Sequence, residues 1–186
     1  MDINDARAKI DSIDAEIKNL LMQRLDYSEQ IAHIKINEGN LTIFRADREE
    51  EILNRLGAGV PEERRAGYLA VVRKIMETSR MYQYGIMFDN LKNLFEPLAE
   101  NLNIKDSNTR VRVSLTRENR PNAMSSILSM IGDYGFNMDR MELISQDKNY
   151  VTFELLIIGN LKDVKMQKLM FQLSKESNNF SIIFSY

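Results

Sequence analysis

Between Asn4 and Glu38 no proline or glycine interrupts the chain, and Ile10, Ile13, Ile17, Leu20, Leu21, Ile31 and Ile34 recur at spacings of three and four. That spacing is one face of an α-helix, whereas a strand alternates its side chains with period two. Asn4 or Asp5 supplies a cap at the start, and Gly39 and Asn40 are residues that tolerate a left-handed conformation at the end. At about 1.5 Å per residue such a helix runs roughly 50 Å, too long for a compact domain of this size to cover, so a partner subunit is implied. A second helix fits Ala46 to about Leu56, with Asp47, Glu49, Glu50 and Glu51 near its positive end, and a third runs from about Pro61 to Phe88.

The pattern changes after Asp89. Pro97 and a polar run suggest a short helix breaking into a linker. Beyond it RVRVSL alternates with period two, PNAMSSILSMIGDYG is helical, FNMDRMELIS and NYVTFELLIIG read as strands, LKDVKMQKLMFQLSKES is helical, and FSIIFSY is a strand. The order βαββαβ is the split, ferredoxin-like arrangement, an antiparallel sheet with two helices on one face. The chain is therefore read as α+β with two domains: a helical domain at 1–90, a linker at 91–108 and a βαββαβ domain at 109–186.

The 186 residues carry 25 basic and 27 acidic side chains, a balance that gives no support for binding nucleic acid or an anionic membrane, so any anion site must be local. The absence of cysteine and the single histidine argue against disulfides, thiolate ligands and a multi-histidine metal site. No metal or other cofactor is expected. The acidic, polar N-terminal stretch and the lack of any long apolar run read as a soluble cytoplasmic protein.

Two cations interrupt the apolar pattern. Ile10, Ile17, Arg24 and Ile31 are spaced seven apart, so Arg24 shares a stripe with three isoleucines that should be buried. Lys35 lies eleven residues on, about 20° away at roughly 100° per residue, so both cations point to the same side. Each has an ordinary reading, pairing with a core glutamate or extending its head to water, but two on one stripe suggest a wall for an anion. On the third helix Tyr68, Val72, Ile75 and Met76 form an apolar stripe that continues into Ser79 and Gln83, neutral hydrogen-bonding groups in place of apolar ones. Arg48 and Glu49 also fit a solvated charge run. Arg7 falls about 100° off the face of Arg24, so a straight helix cannot aim both into one pocket, and in a dimer Arg7 could serve the neighbour's site.

In order along the chain, RAKIDSIDAEIKNLLMQR, IAHIK, RADREEEILNRL and METSRMYQ resemble the active-site segments of the all-helical class of chorismate mutase. The resemblance covers about the first 85 positions and implies an all-α intertwined dimer with three helices per chain and no cofactor. By that resemblance the substrate is chorismate: Arg7, reaching across the homodimer, and Arg24 hold its two carboxylates, and Lys35 meets a carboxylate and the ether oxygen. Arg48 supports the same network, Glu49 accepts from the C4 hydroxyl, Ser79 binds the ring carboxylate and Gln83 donates to the ether oxygen. The loop before RADRE is one residue longer than in bacterial relatives, and Arg45 stands where an acidic residue is familiar, so Arg45 falls outside the expected catalytic set.

The βαββαβ segment resembles an ACT domain, of the kind that follows dehydratase domains in phenylalanine-sensitive bifunctional enzymes; here the middle enzyme is missing. The effector pocket implied by that resemblance falls at Asn122, Ala123 and Met124 and at Glu142 and Ser145. Asparagine where those relatives have glycine crowds a backbone that must approach a ligand, which favours dimerisation or docking over an amino-acid effector site. Two rival functions share these features: an isochorismate pyruvate lyase, and a weakly catalytic partner subunit that regulates another shikimate-pathway enzyme.

Overall fold

A computed structural model describes residues 2–186. The helical half consists of α1 (Ile3–Asn37), α2 (Ala46–Gly57) and α3 (Glu62–Asn90), and a single turn, α4 (Glu96–Ala99), follows. Then come β1 (Arg110–Glu118), α5 (Ala123–Asp133), β2 (Asn137–Gln146), β3 (Tyr150–Ile158), α6 (Val164–Glu176) and β4 (Asn179–Ser185). The elements read from periodicity are present in the order expected. Among the described residues no helix is long and apolar enough to cross a membrane.

The cap of α1 differs from the expectation. Asp2, rather than Asn4 or Asp5, accepts hydrogen bonds from the backbone N–H groups of Asn4 (2.7 Å) and Asp5 (2.9 Å), and the Asp5 carboxylate accepts from the Asp2 N–H at 3.1 Å. This reciprocal box satisfies free donors at both positions, so the helix starts one residue earlier and Asp5 lies within its first turn. At the other end Gly39 takes φ +67°, as anticipated.

The two apolar faces of α1 differ in what covers them. The isoleucine stripe expected to be buried is open in the single chain: Ile10 is 56%, Ile17 46% and Leu20 64% exposed. The face that meets α3 instead carries Leu21, Leu25, Ser28, Ala32 and Ile36, again at helical spacing, with the small Ser28 and Ala32 fully buried. Small side chains there let the two backbones approach, and the larger isoleucines stay on the other side. On α3 the stripe Val72, Met76, Ser79 and Gln83 is buried as expected, while Tyr68 at its far end is exposed.

The sheet has strand order β2-β3-β1-β4, with every neighbouring pair antiparallel. Alternation sends Val111, Val113 and Leu115 of β1 and Val151, Phe153, Leu155 and Ile157 of β3 into one core with Ile127 and Ile131 of α5 and Leu169 and Leu173 of α6. The opposite face carries Arg112, Glu142 and Glu154. This is the split βαβ arrangement.

The segment between the halves is packed down. Phe95 is buried in the sheet-side core, and Leu98, Leu102 and Ile104 lie against it together with Met81 and Phe88 of α3. A smaller cluster of Ile43, Tyr84, Met87 and Phe171 joins the loop before α2, α3 and α6. Ion pairs Lys74–Asp133 (2.5 Å) and Lys168–Asp89 (2.7 Å) add to the contact between α3 and the α/β region.

Candidate active site

The α1–α3 seam brings together two of the expected residues, Arg24 and Ser79. Arg24 sits at the edge of that seam and its guanidinium donates to the Ser79 hydroxyl of α3, with a longer contact of 3.5 Å to the Ile75 carbonyl. Partial burial lowers the Arg24 pKa from its ordinary value, yet the residue remains exposed enough to meet a ligand. One turn beyond Ser79, Gln83 is 9% exposed. Its side chain makes no hydrogen bond among the described residues, which leaves the donor and acceptor of the amide without a protein partner there.

Lys35 lies in the last turn of α1, where a cation is favoured. Its ammonium donates to the Thr42 carbonyl in the loop leading to α2. Burial, then the nearby Arg45, lower the Lys35 pKa, and Glu38 works in the opposite direction. Arg45 itself forks onto Asp47 with bonds of 3.1 and 2.7 Å. Its positive charge is nonetheless felt at Lys35.

The remaining expected residues are placed differently. Arg48 is exposed and pairs with Glu51 at 2.6 Å, outside the Arg24–Ser79 group. Arg7 lies exposed on the first turns of α1, away from that seam. Glu49 on α2 is held by Arg80 of α3. It shares with Arg80, Arg117, Arg120 and Asn122 a cleft of about 390 Å³ between the helical half and the α/β region.

Sequence reading missed Arg80. It follows Ser79 in the METSRMYQ segment, about 100° round the helix, on a stripe with the buried Met76, Tyr84 and Met87 rather than on the face that carries Ser79 and Gln83. Its second partner, Glu176, lies 96 residues away on α6, a separation at which no periodicity carries a signal. The Arg80 pKa is raised: burial alone would lower it, but Glu176 and Glu49 outweigh burial.

In the α/β region Asn122 precedes α5 with φ +70°, a left-handed conformation that asparagine tolerates better than most residues. Ala123 is buried and Met124 exposed. Glu142 lies on the helix-free face of the sheet, 3.3 Å from Arg140 and 3.8 Å from Arg112, and Ser145 is exposed near the end of β2. Glu142 lines a depression with Arg112, Arg140 and Glu154, whereas Asn122 lines the cleft between the two halves.

A helical domain that clamps a cation between two helices, followed by a small antiparallel α/β region, defines the class. Residues 6–84 match the family model described as chorismate mutase type II. The helical half is thus similar to a chorismate mutase type II domain over those residues. A comparison with curated proteins gives no match. Among solved structures, one titled "GqqA- a novel type of quorum quenching acylases" is similar at a TM-score of 0.43 and 19% identity, over 46% of this chain and 45% of that one. The chain spans less than half of that protein's length, and a likeness this weak carries no argument.

Proposed function

We propose that the protein converts chorismate to prephenate in aromatic amino-acid biosynthesis, working in the cytoplasm as a homodimer. The observation that carries this reading is the seam itself: Arg24 tied to Ser79 across α1 and α3, with the buried, unpaired Gln83 one turn further on. The rearrangement breaks an ether C–O bond and forms a C–C bond within one molecule, so it requires no nucleophile and no net proton transfer. What it requires is a dianion held in its compact reactive conformer, and donors where charge builds on the ether oxygen.

Arg24 and Ser79 fit the carboxylates, with Arg7 of the second subunit completing the clamp and Arg48 supporting it from α2. Lys35 and Gln83 supply the donors that strengthen as the ether bond breaks. Glu49 accepts from the C4 hydroxyl. The open isoleucine stripe of α1 supports a dimer, since so continuous an apolar face needs a cover.

For the α/β region we infer an ACT-type dimerisation or docking domain rather than an amino-acid sensor. Asn122 and Glu142, two residues an effector would need together, line different cavities. Isothermal titration with phenylalanine, tyrosine and tryptophan is expected to give no binding heat, and saturable binding of any one of them overturns this part of the reading.

The catalytic assignment is tested by Lys35→Ala and Gln83→Ala. Each should lower chorismate turnover by on the order of 100-fold to 1000-fold, as losing a donor to a developing oxyanion does in a dry site. Helix content should be unchanged by circular dichroism. Native-like turnover in either variant refutes the assignment.

A further inference from the structure

A buried polar network runs from the α/β region to Glu49. Glu176, the last residue of α6, has a wholly enclosed side chain. Its Oε1 accepts from Arg80 Nε at 3.0 Å and from Gln172 Nε2 at 2.8 Å, and Gln172 in turn accepts from the Tyr134 hydroxyl at 2.9 Å. Its Oε2 stands 3.9 Å from Arg117 Nη1, and neither atom has a hydrogen-bond partner. Arg80, with only 7% of its side chain exposed, is thus gripped at Nε by the α/β region while Nη1 donates to Glu49. The Phe44 ring, from the loop before α2, lies 5.0 Å from the Arg80 guanidinium carbon and 5.8 Å from that of Arg117.

A planar guanidinium bonded along two edges cannot turn toward one partner without disturbing the other. We propose that Arg80 is a positioning residue for Glu49, and that Glu176 fixes Arg80 so that the α/β region sets the geometry of the chorismate site. The proposal rests on the reading that Glu49 meets the substrate hydroxyl. It gives the α/β region a mechanical part in catalysis with no effector bound: α6 holds the arginine, the arginine holds the glutamate, and the glutamate orients the ring.

Removing Arg80 alone leaves Glu176 buried without its closest cation and risks the fold. The paired variant Arg80→Met with Glu176→Gln removes both charges together and frees Glu49; because it also takes the buried carboxylate from Arg117, its helix content and melting temperature are measured alongside. Steady-state kinetics on chorismate should show kcat lowered by about 10-fold to 100-fold, the scale expected of a misplaced positioning group, with KM changed by less than about twofold. In a Glu49→Gln background the same pair should cost less than about twofold further, because residues acting through one another are non-additive. Arg80→Lys, which keeps a cation beside Glu49, should recover part of the lost kcat. Native kcat in the paired variant, or a loss equally large in the Glu49→Gln background, overturns the proposal while leaving the mutase reading intact. A native protein with no chorismate turnover overturns the mutase reading, and the proposal falls with it.

Discussion

At the scale of single residues, the legible part of the site was the set of polar groups standing where periodicity demanded apolar ones. Ser79 and Gln83 broke an apolar stripe on α3, and both are buried. Arg24 was legible for the same reason, although the face it shares with the isoleucines is open in the single chain rather than enclosed. Arg117 takes the next inward position of β1 after Val111, Val113 and Leu115, and Glu176 follows Leu169 and Leu173 on α6, so each stands in an apolar pattern; what no local pattern carries is that these two and Arg80 meet across distant elements. Asp47 provides a test at this scale. The bonds from Arg45, then the backbone N–H of Arg48, hold its carboxyl down at about 2 against an ordinary 3.8. A depressed carboxylate pKa contributes stability that is fully present above the unfolded value and is lost as pH falls through about 2. Carboxyl-detected NMR titration should place the Asp47 midpoint near that value, and Arg45→Ala should return it toward the ordinary carboxylate range. An Asp47 that titrates normally in the native protein would show that the fork onto Arg45 does not persist in solution.

At the scale of elements, boundaries followed local chemistry closely where glycine and proline punctuate the chain and less closely where a cap depends on side-chain reciprocity. The start of α1 turned on Asp2 and Asp5 bonding to each other's backbone, a pairing that a search for one capping residue overlooks. Which face of α1 meets α3 has a related cause. Both of its faces have apolar spacing, and the choice between them was made by Ser28 and Ala32, whose small size suits close packing against α3. The unclaimed face bears Ile10, Ile13, Ile17 and Leu20. Placing glutamate at both Ile13 and Ile17 would put two charges into that face, a cost of several kcal/mol if a second copy covers it. Sedimentation of the native protein should give a dimer and of the double variant a monomer, with chorismate turnover falling because Arg7 no longer reaches the neighbour's site. A native monomer, or a variant that stays dimeric, contradicts the homodimer.

At the scale of the whole molecule, reading the chain as two domains joined by a linker captured the order of elements and missed how closely the halves are joined. The residues taken for a linker contribute Phe95 to the core, and α3 presents one face to α1 and another to α6. The cause is again non-local. Tyr84 and Met87 continue the apolar periodicity of α3 beyond the site, yet which element would cover them, here Phe171 of α6, is not written in that helix. The consequence is that consecutive residues of α3 turn to different neighbours, Ser79 to Arg24 of α1 and Arg80 to Glu176 of the α/β region. Rearrangement of chorismate by this assembly is tested by following the loss of chorismate absorbance with the purified protein and identifying the products. Prephenate without pyruvate is the predicted result, whereas pyruvate with salicylate, or no turnover at all, would contradict it.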